Sequence, residues 1–378
     1  MTKAPFAAHH ADLAALGAEN RRRALAPRTG IDFASNDYLA LAGSYLLNEA
    51  LAAGLRQGLP AGSGGSRLLR GNHDEHEALE AHAARHYGSE AALFFSTGFA
   101  ANAALFATLP QRGDLIVHDE LIHASAHDGM KLGRADRVAA AHNDPQAFDD
   151  AIAAWRARGG AGTPWIAVES LYSMDGDRAP LADLAIVADR HDAVLIVDEA
   201  HATGVYGPSG QGLAHVLGAR DNLITLHTCG KALGCEGALL CGPAIVRDFI
   251  VNRGRPFIFS TAPSPLMAWL VRHALEIVAG EPERAARLHD LVRHAEHRLA
   301  ALGLPASGSQ ILPVVIGDNA RTMRIAGALQ DAGFDIRGIR PPTVPQGTAR
   351  LRIAITLNVG ESDIDHMADT LAASMAAA

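Results

Sequence analysis

The sequence feature that most constrains the fold is a run of four large aliphatic residues, Val-Leu-Ile-Val at 194–197. Such a run predicts a strand with both faces buried, as in parallel sheets. Asp198, Glu199 and His201 follow it. Because ligands of open α/β sheets bind at the carboxyl ends of the strands, we expect Asp198 and His201 to serve binding or catalysis.

The composition is that of a globular protein and narrows the possible functions. The chain has 378 residues, 48% of them hydrophobic, and its net charge of −8 gives no support for a nucleic-acid-binding surface. Three cysteines, at 229, 235 and 241, argue against a disulfide framework and fit reduced thiols in a cytoplasmic protein. The N-terminus predicts no signal peptide. The uncharged residues 91–110 predict a strand, a turn and a helix rather than a membrane span, because Ser-Thr-Gly at 96–98 interrupts them.

The order of the apolar segments predicts an α/β fold in two domains. Short apolar runs alternate with amphipathic segments, which favours a mostly parallel sheet with helices on both faces. The strand candidates are residues 92–95, 115–118, 165–169, 194–198, 223–227 and 238–241. Beyond these, a long amphipathic helix at 288–302 and three strands within 311–357 predict a smaller α+β domain. We expect an N-terminal arm at 1–45, a large domain at 46–265 and a small C-terminal domain at 266–378.

Two motifs, at 198–201 and at 62–67, resemble those of nucleotide-binding proteins, but each lacks a residue that such a protein requires. Asp-Glu-Ala-His after an aliphatic strand also occurs in nucleotide-driven helicases, which need an upstream G-x-x-x-x-G-K-[ST] loop. The Gly230-Lys231 pair lies downstream and lacks the earlier glycine, so the helicase interpretation fails. The glycine-rich residues 62–67 carry Arg67 where a dinucleotide fingerprint has its third glycine, and no strand precedes them.

The position of Lys231 indicates the chemistry that Asp198 could serve. It follows the strand at 223–227, about one strand-helix-strand unit beyond Asp198, so both side chains face the same crevice. A desolvated lysine amine forms Schiff bases, and a carboxylate keeps a pyridine nitrogen protonated. Asp198, His201 and Lys231 therefore suit pyridoxal phosphate (PLP). On position alone, a solvent-facing loop lysine is an equal alternative.

The cofactor phosphate requires its own binding site. The strand-to-helix turn at 96–102 has free backbone N–H groups that suit an anion, and Thr228 adds a hydroxyl. His123 would stack on the cofactor ring, although a histidine in such a segment is more often structural. His73 and His76 have metal-ligand spacing, but no third ligand is suggested, so we expect a helix start there and no metal.

Several long motifs, in one order, resemble those of the α-oxoamine synthases, which are PLP-dependent transferases of fold type I (aspartate aminotransferase-like). The resemblance runs from about residue 32 to 364. Its matching segments are residues 33–39, 62–72, 96–102, 173–177, 197–201 and 230–234. The resemblance implies a homodimer with its active site at the subunit interface.

The resemblance also implies roles for individual residues around the cofactor. Lys231 would bond the cofactor aldehyde, Asp198 would pair with the pyridine nitrogen, and His201 with the ring hydroxyl. The remaining cofactor contacts would be His123 over the ring, Ser173 beside it, Gly98, Phe99 and Thr228 at the phosphate, and Thr261 reaching the partner's phosphate. Catalysis would fall to Lys231, His123, His201 and Asp198.

The substrate side is implied in the same way. Arg352 would hold the amino acid carboxylate as a bidentate pair, Arg21 and Asn36 would line the entrance, and Thr343 would contact the acyl substrate. The sequence leaves open which of the three consecutive arginines at 21–23 lines the substrate entrance. Residues 340–352 most resemble the members that join L-alanine to a pimeloyl thioester, carried by coenzyme A or an acyl carrier protein, in biotin synthesis. Alternatives are a sister enzyme using glycine or serine with another acyl-CoA, and a non-catalytic PLP carrier.

Overall fold

The computed structural model of the chain describes residues 5–25 and 27–378. Its helices are α1 (Ala7–Ala18), α2 (Tyr45–Arg56), α3 (Asp74–Tyr87), α4 (Gly98–Thr108), α5 (Ala124–Leu132), α6 (Pro145–Ala157), α7 (Leu181–Arg190), α8 (Ala244–Arg253), α9 (Arg255–Ile258), α10 (Pro265–Gly280), α11 (Glu283–Ala300), α12 (Asn319–Asp331) and α13 (Glu361–Ala377). Its strands are β1 (Ile31–Asp32), β2 (Ala91–Phe95), β3 (Leu115–Asp119), β4 (Asp136–Ala140), β5 (Pro164–Glu169), β6 (Val194–Asp198), β7 (Leu223–Thr228), β8 (Ala238–Gly242), β9 (Ile311–Gly317), β10 (Phe334–Asp335), β11 (Arg337–Ile339) and β12 (Ala349–Ala354).

The described chain divides into two compact units. The large unit comprises Asn36–Ser173 and Asp177–Ala286, and the small unit comprises the described residues up to Ser35, Met174–Gly176 and Arg287–Ala378. Helix α10 belongs to the large unit because it packs against α2 and α3. The division expected from the sequence, with boundaries after residues 45 and 265, stays a prediction.

A seven-stranded sheet forms the centre of the large unit, in the order β2-β8-β7-β6-β5-β3-β4. Strand β8 runs antiparallel to both of its neighbours, β2 and β7, and all other neighbouring strands of this sheet are parallel, which confirms the predicted mostly parallel sheet. All six strand candidates of this region are present. Strand β4 was not predicted, because it is an edge strand whose first four residues are exposed and carry no apolar run.

The central strand β6 carries apolar side chains on both faces, as its sequence predicts. Ile196 belongs to one apolar core together with residues of α4 and α5. Leu195 and Val197 point to the opposite core, which α6 and α7 cover. Residues 91–110 form β2, a turn and α4. Among the described residues, none of the helices combines the length and apolar character that a membrane crossing requires.

The small unit contains a three-stranded antiparallel sheet, β11-β12-β9, and a short parallel pair, β1 with β10. Helix α12 packs on this sheet and against α13. The strand expected across 334–339 is split at Ile336 into two short strands. The last strand ends at Ala354 rather than near residue 357, and both Arg350 and Arg352 on it are buried.

The double-sided burial of β6 predicts a large loss of stability on truncation. Ile196 is 2% exposed, so Ile196→Ala leaves a cavity and is expected to lower the free energy of unfolding by about 2–5 kcal/mol. Ile186 of α7 is 57% exposed, and Ile186→Ala should change that free energy by about 0.5 kcal/mol or less. Urea denaturation of both variants measures this. Equal effects of the two substitutions would contradict the assignment of β6 as the core strand.

Candidate active site

Parallel pairing brings the carboxyl ends of the central strands to one edge of the sheet. Strand β5 pairs Glu169 with Asp198 of β6, and β6 pairs Asp198 with Leu226 of β7. Strand β7 ends at Thr228, three residues before Lys231. The acid and the lysine that the sequence singled out therefore leave neighbouring strands at the same edge.

A chain of hydrogen bonds fixes the amine of Lys231. Its Nζ lies 2.8 Å from Nε2 of His201, and Nδ1 of His201 lies 2.7 Å from the hydroxyl of Tyr38. That hydroxyl donates to Oδ1 of Asn36 at 3.0 Å. Because Tyr38 donates to Asn36, it accepts from Nδ1–H of His201. This arrangement leaves Nε2 of His201 as the acceptor that faces the Lys231 amine.

A second chain of hydrogen bonds begins at Asp198. Nδ2 of Asn102 donates to Oδ2 of Asp198 and to Oγ of Ser125, both at 2.9 Å. Oγ of Ser125 lies 2.8 Å from Nδ1 of His123, which also accepts the backbone N–H of Ser125. The backbone N–H of Ala200 donates to the other oxygen of Asp198. Because Nδ1 of His123 is an acceptor, the neutral ring carries its proton on Nε2.

The protonation of His123 follows from its surroundings. Partial removal from solvent lowers the pKa of His123, with Asp198 opposing and Lys231 reinforcing the shift. The ring of His123 is therefore neutral at physiological pH. On β5, burial and the nearby Asp198 carboxylate raise the pKa of Glu169 well above its ordinary value. The backbone N–H of Ser173 donates to Glu169.

The amino end of α4 offers a binding place for an anion. Thr97 caps this helix by accepting the N–H of Ala100, which leaves the N–H groups of Gly98 and Phe99 without partners inside the helix. A Cβ on Gly98 would lie 3.7 Å from Oγ1 of Thr228, so the helix end and the hydroxyl are neighbours. Helix N-termini attract anions through these N–H groups and the helix dipole.

The structure gives Glu199, for which the sequence suggested no role, a structural one. Its carboxylate accepts the backbone N–H groups of Leu213 and Ala214. Burial raises the pKa of Glu199 to about 7, although these two hydrogen bonds act in the opposite direction and lower it. Gly212 has φ +96°, and a Cβ there would lie 2.2 Å from Oε2 of Glu199. Glu199 therefore anchors the loop that follows His201.

The remaining predicted site residues lie on other parts of the chain. In the small unit, Arg21 donates from Nε to the carbonyl of Pro341, whereas Arg23 donates to Oγ1 of Thr343 at 2.7 Å. Arg23 is thus the arginine that contacts Thr343. Arg352 is buried on β12, opposite Arg337 of β11. In the large unit, Thr261 is exposed in the connection between α9 and α10.

Three residues of the two hydrogen-bond chains were not recognised as functional from the sequence. Tyr38 lies in the family-matching segment 33–39, Asn102 lies in the segment 96–102, and Ser125 follows His123 by two residues. Asn102 is one helical turn after Gly98, so a helix that begins at Gly98 directs Asn102 toward the sheet. That spacing was the available signal for Asn102. The contact of Tyr38 with His201 joins residues 163 apart in sequence, which no local pattern reveals.

The two histidines with metal-ligand spacing cap a helix instead. Nδ1 of His73 accepts the backbone N–H of Glu75, and Nδ1 of His76 accepts that of His73. The other ring nitrogen of His76 donates to the carbonyl of Pro263 at 2.8 Å. Both nitrogens of His76 are therefore used by the backbone, and burial lowers its pKa to about 4.

Comparison with known proteins identifies the family. The family model described as aminotransferase class I and II matches residues 28–371, and the chain belongs to this family. Within it, the chain is 42% identical to 8-amino-7-oxononanoate synthase from Anaeromyxobacter dehalogenans over 96% of this chain and 94% of that protein.

Solved structures agree with this assignment. Serine palmitoyltransferase from S. paucimobilis, with PLP and myriocin bound, has a TM-score of 0.89 at 25% identity and covers 98% of each chain. 8-Amino-7-oxononanoate synthase from Francisella tularensis has a TM-score of 0.78 at 26% identity, covering 92% of this chain and 98% of that one. The predicted fold type I architecture is thereby confirmed.

The hydrogen bonds of Asn102 predict that it stabilises the strand-end carboxylate. Asn102→Ala removes donors from the buried Asp198 and from Ser125, and is expected to lower the free energy of unfolding by about 1–3 kcal/mol. Asn252 of α8 also donates from Nδ2, to the exposed carbonyl of Asp248, and provides a matched control. Asn252→Ala should change the free energy by about 0.5 kcal/mol or less in urea denaturation. A neutral Asn102→Ala variant would contradict the chain of hydrogen bonds.

Proposed function

We propose that the protein is a PLP-dependent acyltransferase that condenses L-alanine with a pimeloyl thioester to give 8-amino-7-oxononanoate, CO₂ and the free thiol, in biotin synthesis. The observation that carries the proposal is the Lys231 amine held 2.8 Å from His201 at the strand edge that also bears Asp198. The identity of 42% to a curated 8-amino-7-oxononanoate synthase supports the substrates.

The residues at the strand edge fit PLP group by group. Lys231 would bond the aldehyde, Asp198 would face the pyridine nitrogen, and His201 the ring hydroxyl. The N–H groups of Gly98 and Phe99, with Thr228, would hold the phosphate, while His123 would lie over the ring and Ser173 beside it. When bound, PLP supplies an electron sink that stabilises negative charge on the amino acid Cα.

The chain's own groups position and move the proton of the substrate. The free amine at Nζ of Lys231 takes the Cα proton of alanine, and Nε2 of His201, as an acceptor, orients that amine. Tyr38 and Asn36 fix the His201 tautomer from behind. The N–H at Nε2 of His123 is a donor suited to the thioester carbonyl oxygen as it becomes negative. All side chains that take part in these proton transfers and hydrogen bonds belong to the two hydrogen-bond chains described above.

The lysine content of the chain strengthens the assignment of Lys231. The sequence contains three lysines, Lys3, Lys131 and Lys231. Lys131 is an exposed residue of α5 paired with Asp128. A chain that otherwise uses arginine for its positive charges keeps a lysine at the strand edge, where a neutral amine is needed and arginine would stay protonated.

Substrate choice rests on groups of the small unit and on a second copy of the chain. Arg352 would hold the alanine carboxylate, and Arg21, Arg23, Asn36 and Thr343 would receive the acyl thioester, on coenzyme A or an acyl carrier protein. Thr261 would reach the phosphate in the partner's site of a homodimer.

We propose that the protein is located in the cytoplasm, since a reducing compartment suits the free, buried thiols of Cys229 and Cys241.

A sister reaction is the second candidate. Serine palmitoyltransferase superimposes with a higher TM-score than the 8-amino-7-oxononanoate synthase from Francisella tularensis, 0.89 against 0.78. Sequence identity of 42% over 96% of the chain favours the alanine enzyme. Incubation with alanine, glycine or serine and with pimeloyl-CoA or palmitoyl-CoA, followed by thiol release, separates the two. If serine with palmitoyl-CoA were the one substrate pair that released thiol, the alanine reaction would be excluded.

Replacing Lys231 tests the cofactor attachment. Lys231→Ala should abolish the visible absorbance of lysine-bound PLP and lower kcat by about 10³-fold or more, because the proton-transferring amine is lost. Lys131→Ala removes a lysine that pairs with Asp128 at the surface and should leave both readouts unchanged. Alanine-dependent thiol release from pimeloyl-CoA gives the rate. A Lys231→Ala protein that retains the band and the rate would contradict the assignment.

A lysine substitution at Arg352 tests the carboxylate-binding role. Arg352→Lys keeps the charge but loses the bidentate geometry, and should raise the KM for alanine by about 10-fold while changing the KM for the thioester little. Arg337, on the neighbouring strand and paired with Asp335, is the matched control for Arg337→Lys. An equal rise of both KM values would show that Arg352 does not discriminate the amino acid.

A further inference from the structure

The imidazole of His142, just beyond β4, faces carboxylates from both ring nitrogens. Nδ1 lies 2.9 Å from Oδ1 and 3.1 Å from Oδ2 of Asp119, and Nε2 lies 2.7 Å from Oδ2 of Asp177. A neutral imidazole has one N–H, so it would present a lone pair to one of these carboxylates. The geometry is satisfied when both nitrogens carry a proton and donate.

The surroundings of His142 favour this charged form. Burial alone would lower its pKa, but the hydrogen bonds to Asp119 and Asp177 outweigh burial and raise the pKa to about 10. Glu120 accepts the backbone N–H of His142, and the ring of Tyr172 lies edge-on at 4.5 Å. Burial would raise the pKa of Asp119, but hydrogen bonds from His142, Asn143 and Leu121 hold it below its ordinary value.

Asp119 connects His142 to the segment that carries His123. Its Oδ1 accepts the backbone N–H of Leu121 at 2.8 Å, two residues before His123. Its Oδ2 accepts the backbone N–H of Asn143, which has a left-handed backbone with φ 54°. The carboxylate therefore fixes the exit from β3 and the turn after β4 together.

Asp177 connects His142 to the segment that carries Ser173. Its backbone carbonyl accepts the N–H of Tyr172 at 2.9 Å, which closes the turn containing Ser173. Its carboxylate also accepts Nδ2 of Asn143 at 2.7 Å. Tyr172 is buried against the His142 ring, so the turn is held by a hydrogen bond, an ion pair and a ring contact.

We propose that His142 is a positioning residue whose imidazolium ties together the segments carrying His123 and Ser173. The inference rests on the proposed function, in which these two side chains lie over and beside the cofactor ring. His142 itself does not touch the reacting atoms. It fixes the separation of two loops that leave different strands, β3 and β5, and that share no backbone ladder beyond the strand ends.

The sign of the pH dependence follows from the raised pKa. A histidine whose folded pKa is about 10 and whose ordinary value is 6.5 contributes stability that is complete below about 6.5 and is lost as the pH rises through 10. Asp119, with a lowered pKa, contributes above its ordinary value of 3.8 and loses that contribution as the pH falls below it. The tie is therefore intact across neutral pH.

The variant His142→Gln tests the proposal, because glutamine reaches one carboxylate but carries no charge. Titration of the apoprotein with PLP should give a Kd about 10- to 100-fold higher than that of the wild type, as expected when hydrogen bonds to charged groups are lost. His191 is of similar exposure and donates to one carboxylate, that of Asp149. His191→Gln should change the PLP Kd by about twofold or less.

Histidine NMR provides a readout that does not depend on turnover. In protein labelled with ¹³C at histidine Cε1, the resonance that disappears in His142→Gln should not titrate between about pH 6 and 8.5, unlike an ordinary histidine. The thermal stability difference between wild type and His142→Gln should shrink as the pH passes 10. Should His142→Gln fail to fold, Asp177→Asn serves, and should lower the His142 pKa and weaken PLP binding.

The outcomes separate this inference from the proposed function. A His142 resonance that titrates near its ordinary pKa of 6.5 would overturn the imidazolium tie. A non-titrating resonance together with an unchanged PLP Kd in His142→Gln would overturn the positioning role while leaving the function intact. A wild-type protein that binds no PLP would overturn the proposed function, and the positioning role with it.

Discussion

The parallel hydrogen-bond ladder between β5, β6 and β7 is the constraint on which the candidate site depends. Parallel strands in register end at one edge, so polar residues that are distant in sequence meet without any special loop. Asp198 and Lys231 are brought together in this way, with Glu169 on the next strand. The apolar cores on both faces of β6 stabilise that ladder.

The hydrogen-bond partners of the histidines at this edge fix which ring nitrogen donates and which accepts. His201 presents an acceptor to Lys231 because Tyr38 and Asn36 lie behind it, and His123 presents a donor because Ser125 occupies its other nitrogen. The two histidines are thus held in opposite tautomers. His142, between two carboxylates, has a third protonation state and serves the loops rather than the reaction. One residue type thereby has three roles, which its neighbours decide.

Much of the fold and part of the site could be predicted from the sequence, for physical reasons. Strands buried on both faces are continuous aliphatic runs, so β3, β5, β6 and β7 were recognisable, whereas the exposed edge strand β4 was not. Strand-end residues such as Asp198 and Lys231 follow such runs directly. The contacts of Tyr38 with His201 and of His142 with Asp177 depend on tertiary structure and have no local pattern. The role of Glu199 required the fold of the loop at Gly212.

The assignment of Lys231 as the residue that carries PLP is tested most directly by locating the covalently bound cofactor. Reduction of the purified, PLP-loaded protein with borohydride, followed by peptide mass mapping, identifies the lysine that carries it. We expect a pyridoxyl group on Lys231 and on neither Lys3 nor Lys131, which are the other lysines of the chain. A label on either of those two, or no label on a protein that has been loaded with PLP, would contradict it.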